Sequence, residues 1–114
     1  MGTYKELTSL EQWSDAFESS GKRPLVVFKH STQCNVSADA YGVYSDHLQA
    51  SPSADVDYLF VKVIESRPVS NRIAEDTGIK HASPQLLYIK NKEVVASTSH
   101  WHITDAFISE MLQK

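Results

Sequence analysis

The chain has a single cysteine, only four glycines and four prolines, and no long hydrophobic run. One cysteine excludes an internal disulfide, so any disulfide the protein forms is with another molecule, and a reducing cytoplasm is the natural expectation. No window approaches the length of a membrane span, and Met1 to Trp13 contains no apolar stretch of signal-peptide length, so no membrane role is expected. Met1-Gly2 opens a myristoylation signal that Glu6 interrupts where Ser or Thr is required. Basic residues are outnumbered, eleven against fourteen acidic ones, and they form no cluster that tracks phosphates; nucleic acid is not an expected partner. Linkers, repeats and low-complexity segments are also missing. The 114 residues read as a single domain, 1–114, long enough to bury a core without covalent staples.

Hydrophobic periodicity supplies the elements. Thr8 to Glu11 matches a capping box, and Leu10, Trp13 and Phe17 recur at helical spacing to a helix end near Gly21. Leu25-Val26-Val27-Phe28 is a continuous apolar run, as expected of a strand covered on both faces. A helix after Cys34 carries Ala40, Tyr41, Tyr44 and Leu48 on one face, weakened at Gly42 by about 1 kcal/mol relative to Ala. Tyr58 to Ile64 reads as a second strand, and Pro68 to Gly78 as a short helix entered by proline and stopped by glycine. Leu86 to Ile89 and Val94 to Thr98, joined through Lys90-Asn91-Lys92-Glu93, form a predicted hairpin. Thr104 caps a last helix burying Phe107, Ile108, Met111 and Leu112, with Ile103 placed to staple against Ile108. The order α-β-α-β-α-β-β-α predicts an α/β fold with a mixed four-stranded sheet and helices on both faces. Trp13, Phe28, Phe60 and Tyr88 are assigned to its core.

Cys34 sits where the first strand run, Leu25 to His30, passes through Ser31, Thr32 and Gln33 into a helix beginning near Asn35. A strand-to-helix junction offers unpaired backbone N–H groups and the positive end of a helix dipole, both of which favour thiolate over thiol. The plainer alternative is a small buried hydrophobe. Ser37 completes C-x-x-S; it cannot resolve a disulfide, but its hydroxyl can donate a hydrogen bond to a thiolate.

The strand followed by Cys34-Asn35-Val36-Ser37, and His81-Ala82-Ser83-Pro84-Gln85 leading into a later strand, resemble the thioredoxin fold with its cis-proline loop. With His30-Ser31-Thr32, Ile89-Lys90-Asn91 and Ser99-His100-Trp101 added, nearly the whole chain resembles the YtxJ-like monothiol bacilliredoxins of bacillithiol-producing bacteria. Asn35 departs from that family, which usually has proline directly after the cysteine; here it restores a backbone donor and adds a side-chain amide to the thiolate environment.

The resemblance implies thiol exchange. Cys34 removes bacillithiol from a protein mixed disulfide, and a second bacillithiol resolves the enzyme, so bacillithiol is a co-substrate and bacillithiolated proteins are the partners. No bound metal or organic cofactor is expected, and the protein is expected to act as a monomer. It also implies that Thr32, Gln33, Ser83, a cis Pro84, His81, Trp101 and Arg72 serve thiol and substrate binding. Each has a plainer reading. Pro84 can be an ordinary trans turn. His81 lies near the sulfur as a cation or is an exposed loop residue. Trp101 packs on a ligand or seals the core. Arg72 and Lys29 meet bacillithiol carboxylates or are solvated charges, the latter being the preferred reading for Lys29. His100-Trp101-His102 lacks a recognised metal-ligand spacing. Two other functions stay open: an iron–sulfur carrier similar to monothiol glutaredoxins, and a binding module whose cysteine is incidental.

Overall fold

A computed structural model describes residues 4–33, 35–50 and 52–114. The elements are β1 (Lys5–Glu6), α1 (Leu10–Ser19), β2 (Leu25–His30), α2 (Asn35–Ala50), β3 (Asp57–Lys62), α3 (Arg67–Thr77), β4 (Gln85–Lys90), β5 (Glu93–Ser99), a 3-10 turn (His100–His102) and α4 (Asp105–Met111). The sheet has five strands, not the four expected, in the order β1-β3-β2-β4-β5. The added strand is two residues long and joins β3 in parallel through Lys5 and Glu6, too short to leave an alternation pattern in sequence.

Strand β2 is central. It runs parallel to β3 and antiparallel to β4, and its alternating side chains feed two separate cores. Val26 and Phe28 pack with Ala40, Tyr44 and Leu48 of α2 and Ile108 and Met111 of α4. Leu25 and Val27 face the other way, with Trp13 of α1 and Val69 and Ile73 of α3. Two covered faces explain the unbroken apolar run. Trp13, Phe28, Phe60 and Tyr88 are buried as expected. The Trp13 indole N–H donates to Asp76 at 2.8 Å, which ties α1 to α3 without leaving a buried donor unpaired.

Boundaries shift by a residue or two. The capping box is Ser9 and Gln12, not Thr8 and Glu11: the Gln12 backbone N–H donates to the Ser9 hydroxyl while its side-chain oxygen accepts from the Ser9 N–H. Thr8 also donates to Gln12 through its N–H and hydroxyl, so both neighbouring positions serve the cap. Helix α1 stops at Ser19 with Ser20 as its C-cap, before Gly21. Strand β3 ends at Lys62, leaving Ile64 exposed beyond it. Helix α3 has Pro68 in its first turn and ends at Gly78, whose φ of 72° is the left-handed value that favours glycine. Thr104 caps α4 by accepting from the Phe107 N–H; Ile108 and Met111 are buried while Phe107 and Leu112 are partly covered.

Candidate functional site

Strand register brings the ends of β2 and β3 and the start of β4 and end of β5 to one edge of the sheet. His30 at the end of β2 pairs with Lys62 at the end of β3; Lys29 pairs with Gln85, the first residue of β4, and Gln85 pairs with Ser99, the last of β5. The Ser31–Gln33 turn, the loop ending at Pro84 and the His100–His102 turn all leave from this edge, where the carboxyl ends of parallel strands open onto loops. Cys34 lies outside the described residues; in the chain it directly precedes Asn35, the exposed first residue of α2.

Two polar clusters flank the end of β2, one on each face of the sheet. On the α2 face, Ser37 is fully buried in the first turn of the helix. Its hydroxyl oxygen accepts from the Ser31 N–H at 2.9 Å and lies 2.8 Å from His30 Nδ1. The His30 ring stands against Tyr41, Phe60 and Phe28, with centroids 5.3, 5.5 and 5.9 Å away, and burial holds its pKa below the ordinary 6.5. A hydroxyl has one proton and two lone pairs, and Ser31 takes one lone pair. With the proton of His30 on Nδ1, the second lone pair is filled and the Ser37 proton is free; with it on Nε2, Ser37 gives its proton to His30. The role expected of Ser37 therefore depends on His30, a residue that the sequence placed at the end of a strand and in the family resemblance without assigning it a role.

On the opposite face lies Lys29, and here the sequence expectation of a solvated charge is overturned. Lys29 is fully buried. Its Nζ donates to the Ser70 carbonyl at 3.1 Å and lies 3.4 Å from His81 Nδ1, while the Ser70 hydroxyl is 3.3 Å from the same nitrogen. Burial lowers the Lys29 pKa to about 8. The signal was present: the next residue facing α3 after Leu25 and Val27 is Lys29. His81 is exposed, as one reading had it, and its surroundings oppose the cationic form of the other. Burial of part of the ring, then the charges of Lys29 and Arg67, depress its pKa.

The remaining candidates take varied positions. Ser83-Pro84 is a cis peptide bond, the expected form. The Pro84 carbonyl accepts from the His100 N–H at 3.0 Å, which ties the proline loop to the turn carrying Trp101. Trp101 is 67% exposed, so it does not seal the core. Thr32 and Gln33 are exposed; the Thr32 hydroxyl donates to Glu65 at 3.2 Å, and the Gln33 N–H donates to the Ser31 hydroxyl at 3.3 Å. The Ser83 hydroxyl is buried and has no hydrogen-bond partner among the described residues. Arg72 is half-exposed on α3, 3.8 Å from Glu75 and 3.6 Å from Asp76, weak ion pairs of its own helix. Among the described residues no cluster of three or more metal-ligating side chains occurs, and no helix is long and apolar enough to cross a membrane.

The model of the monothiol bacilliredoxin BrxC family matches residues 5–108. A solved structure described as a candidate oxidoreductase with a thioredoxin fold is similar at 30% identity, with a TM-score of 0.83 over 96% of this chain and 93% of its own. The thioredoxin of Malassezia sympodialis superposes with a TM-score of 0.77 at 18% identity, over 99% of this chain and 91% of that one. Fasciola hepatica thioredoxin gives 0.74 at 15% identity, covering 96% of each chain. These last two likenesses concern the fold alone. The family match spans β1 to the middle of α4, and with the fold it gives one account: the chain belongs to the monothiol bacilliredoxin family of thioredoxin-like thiol oxidoreductases.

Proposed function

We propose that the protein removes bacillithiol from protein mixed disulfides through Cys34. The observation that carries this reading is the family match over residues 5–108 in a chain with one sulfur nucleophile. The Cys34 thiolate attacks the bacillithiol sulfur of the mixed disulfide. The protein–bacillithiol S–S bond breaks, and the substrate leaves as a thiolate that takes a proton from water. The Cys34–bacillithiol disulfide is then attacked by the thiolate of a second bacillithiol, which regenerates Cys34 and leaves oxidised bacillithiol. Bacillithiol is thus a co-substrate, and the reaction calls for no resident metal or organic cofactor.

Several features support the reading. A cysteine directly before a helix is placed in sequence to ionise below the free thiol value. Ser37, held by Ser31 and His30, stands three residues on, and its hydroxyl supports the thiolate when its proton is free. Asn35 adds its own amide to that environment. The loop ending at the cis Pro84, with Ser83 before it, and exposed Thr32, Gln33 and Trp101 form the surface that meets the mixed disulfide, partly by strand addition to backbone. Arg72, on α3, is a cation for the bacillithiol carboxylates. The protein works as a single domain, as a monomer, in a reducing cytoplasm.

The test is release of bacillithiol from a bacillithiolated protein by native protein and by Cys34→Ala. Turnover by the native protein and none by the variant supports the proposal; equal rates overturn it.

A further inference from the structure

Lys29 is a charged side chain that the exchange reaction does not use, yet it is fully buried at the site's edge. Its described hydrogen-bonding neighbours are the Ser70 carbonyl and His81 Nδ1, and no salt bridge joins it to a carboxylate among the described residues. An ammonium group has donors and no acceptor. A ring nitrogen 3.4 Å from it, with the Ser70 hydroxyl 3.3 Å from the same atom, is stabilised as a lone-pair acceptor and disfavoured as N–H. This arrangement favours the neutral imidazole with its proton on Nε2. Nδ1 faces inward, so Nε2, on the opposite side of the ring, faces away from the cluster in a residue that is exposed. His81 begins the short stretch that leads to Pro84, and Gln85 at its end donates through Nε2 to the Lys80 carbonyl at 3.0 Å, which steadies the loop from its other side.

We propose that Lys29 is a positioning residue that holds His81 as the Nε2–H tautomer, so that the proline loop presents a hydrogen-bond donor to an oxygen of the bacillithiol moiety. This rests on the exchange reading for the identity of the ligand. The donor acts in recognition and does not supply the proton of the leaving thiolate. Arg67, the other charge that faces His81, reinforces the neutral ring.

Two arms test it, neither of which requires exchange. Long-range 1H–15N spectra of the reduced protein should show His81 with an unprotonated Nδ1 and a protonated Nε2, and in Lys29→Met a mixture of tautomers. Binding of S-methyl bacillithiol, which has no thiol to exchange, is then measured by NMR titration. A glutamine amide mimics Nε2–H in place and an asparagine amide mimics Nδ1. His81→Gln should bind within about twofold of native, while His81→Asn and His81→Phe should weaken binding about fivefold to tenfold, the loss of one hydrogen bond. Lys29→Met should fall between them. The proposal is overturned by an Nδ1–H tautomer in the native protein, by a His81 tautomer indifferent to Lys29→Met, or by equal losses in His81→Gln and His81→Asn. Absence of any mixed disulfide at Cys34, with the predicted tautomer and binding order intact, would fault the exchange reading and leave the role of Lys29 standing.

Discussion

The Nδ1 atom of His30 lies 2.8 Å from the hydroxyl oxygen of Ser37, joining the last residue of β2 to the first turn of α2 across the segment that contains Cys34. The same oxygen receives the Ser31 N–H. One buried serine therefore terminates two hydrogen bonds from the strand-to-helix connection.

Ser37→Ala removes the oxygen and strands two polar groups in a buried setting. Stability should fall by about 1–2 kcal/mol, read from urea denaturation. Exchange at Cys34 should slow by a few-fold, whereas Cys34→Ala abolishes it, because no covalent intermediate forms without the sulfur. An unchanged urea midpoint in Ser37→Ala would contradict the bonding described for it.

Lys29 makes stability depend on pH in the alkaline range. Its folded pKa of about 8 lies below the ordinary 10.5. Between these values the unfolded chain retains a proton that the folded protein has released, so the Lys29 contribution rises with pH across the window and is least favourable below it. Lys29→Met removes the buried charge and should stabilise the protein at pH 7 by about 1–2 kcal/mol. That advantage should shrink from pH 8 towards 10.5, as urea melts of both proteins at pH 7 and 9.5 will report. A pH-independent difference would contradict it.

On the acid side, His30, His47 and His81 are all held below 6.5, chiefly by burial. The unfolded chain protonates first as pH falls through that value, so stability should decline below it. Urea midpoints measured from pH 7 down to 5 check this, and a flat profile would contradict the neutral imidazoles.

Gly42 lies inside α2 with nothing beyond its chain neighbours and the local helix backbone within 4 Å of where a Cβ would stand, and without a positive φ. Gly42→Ala should therefore stabilise the protein by about 0.5–1 kcal/mol, through helix propensity and a less disordered unfolded chain. A loss on thermal or urea melting would show that the open space is needed.

The fold was legible because hydrophobic pattern and caps agree. The continuous run Leu25 to Phe28 announced a strand between two helix layers, and Thr104 with Ile103 marked the start of α4. Strand β1 was not legible, since two residues carry no period and its place is set by pairing with β3. The site was legible in part. Ser37 and Pro84 could be named from spacing and resemblance, but the partners of Ser37 lie six and seven positions away and those of Lys29 lie 41 and 52 away, brought together by the strand-to-helix turn and by tertiary packing. The chemical type of Lys29 points to solvent, whereas the face alternation of β2, continued one step past Leu25 and Val27, points inside, and burial follows the alternation.

Asn35 offers a test of the thiolate environment. Asn35→Pro preserves a helical φ in the first turn and removes a backbone donor and a side-chain amide next to Cys34 in the chain. The midpoint of alkylation rate against pH, expected in the parent below the free cysteine value of about 8.5, should rise in the variant. A lower or unchanged midpoint would mean that Asn35 does not stabilise the thiolate.

The central claim is that Cys34 exchanges with bacillithiol disulfides, and intact-mass analysis after exposure to oxidised bacillithiol tests it most directly. The account predicts one bacillithiol adduct per chain, absent in Cys34→Ala, and removed by excess reduced bacillithiol. No adduct on the native protein, while oxidised glutathione in parallel gives one, would contradict it.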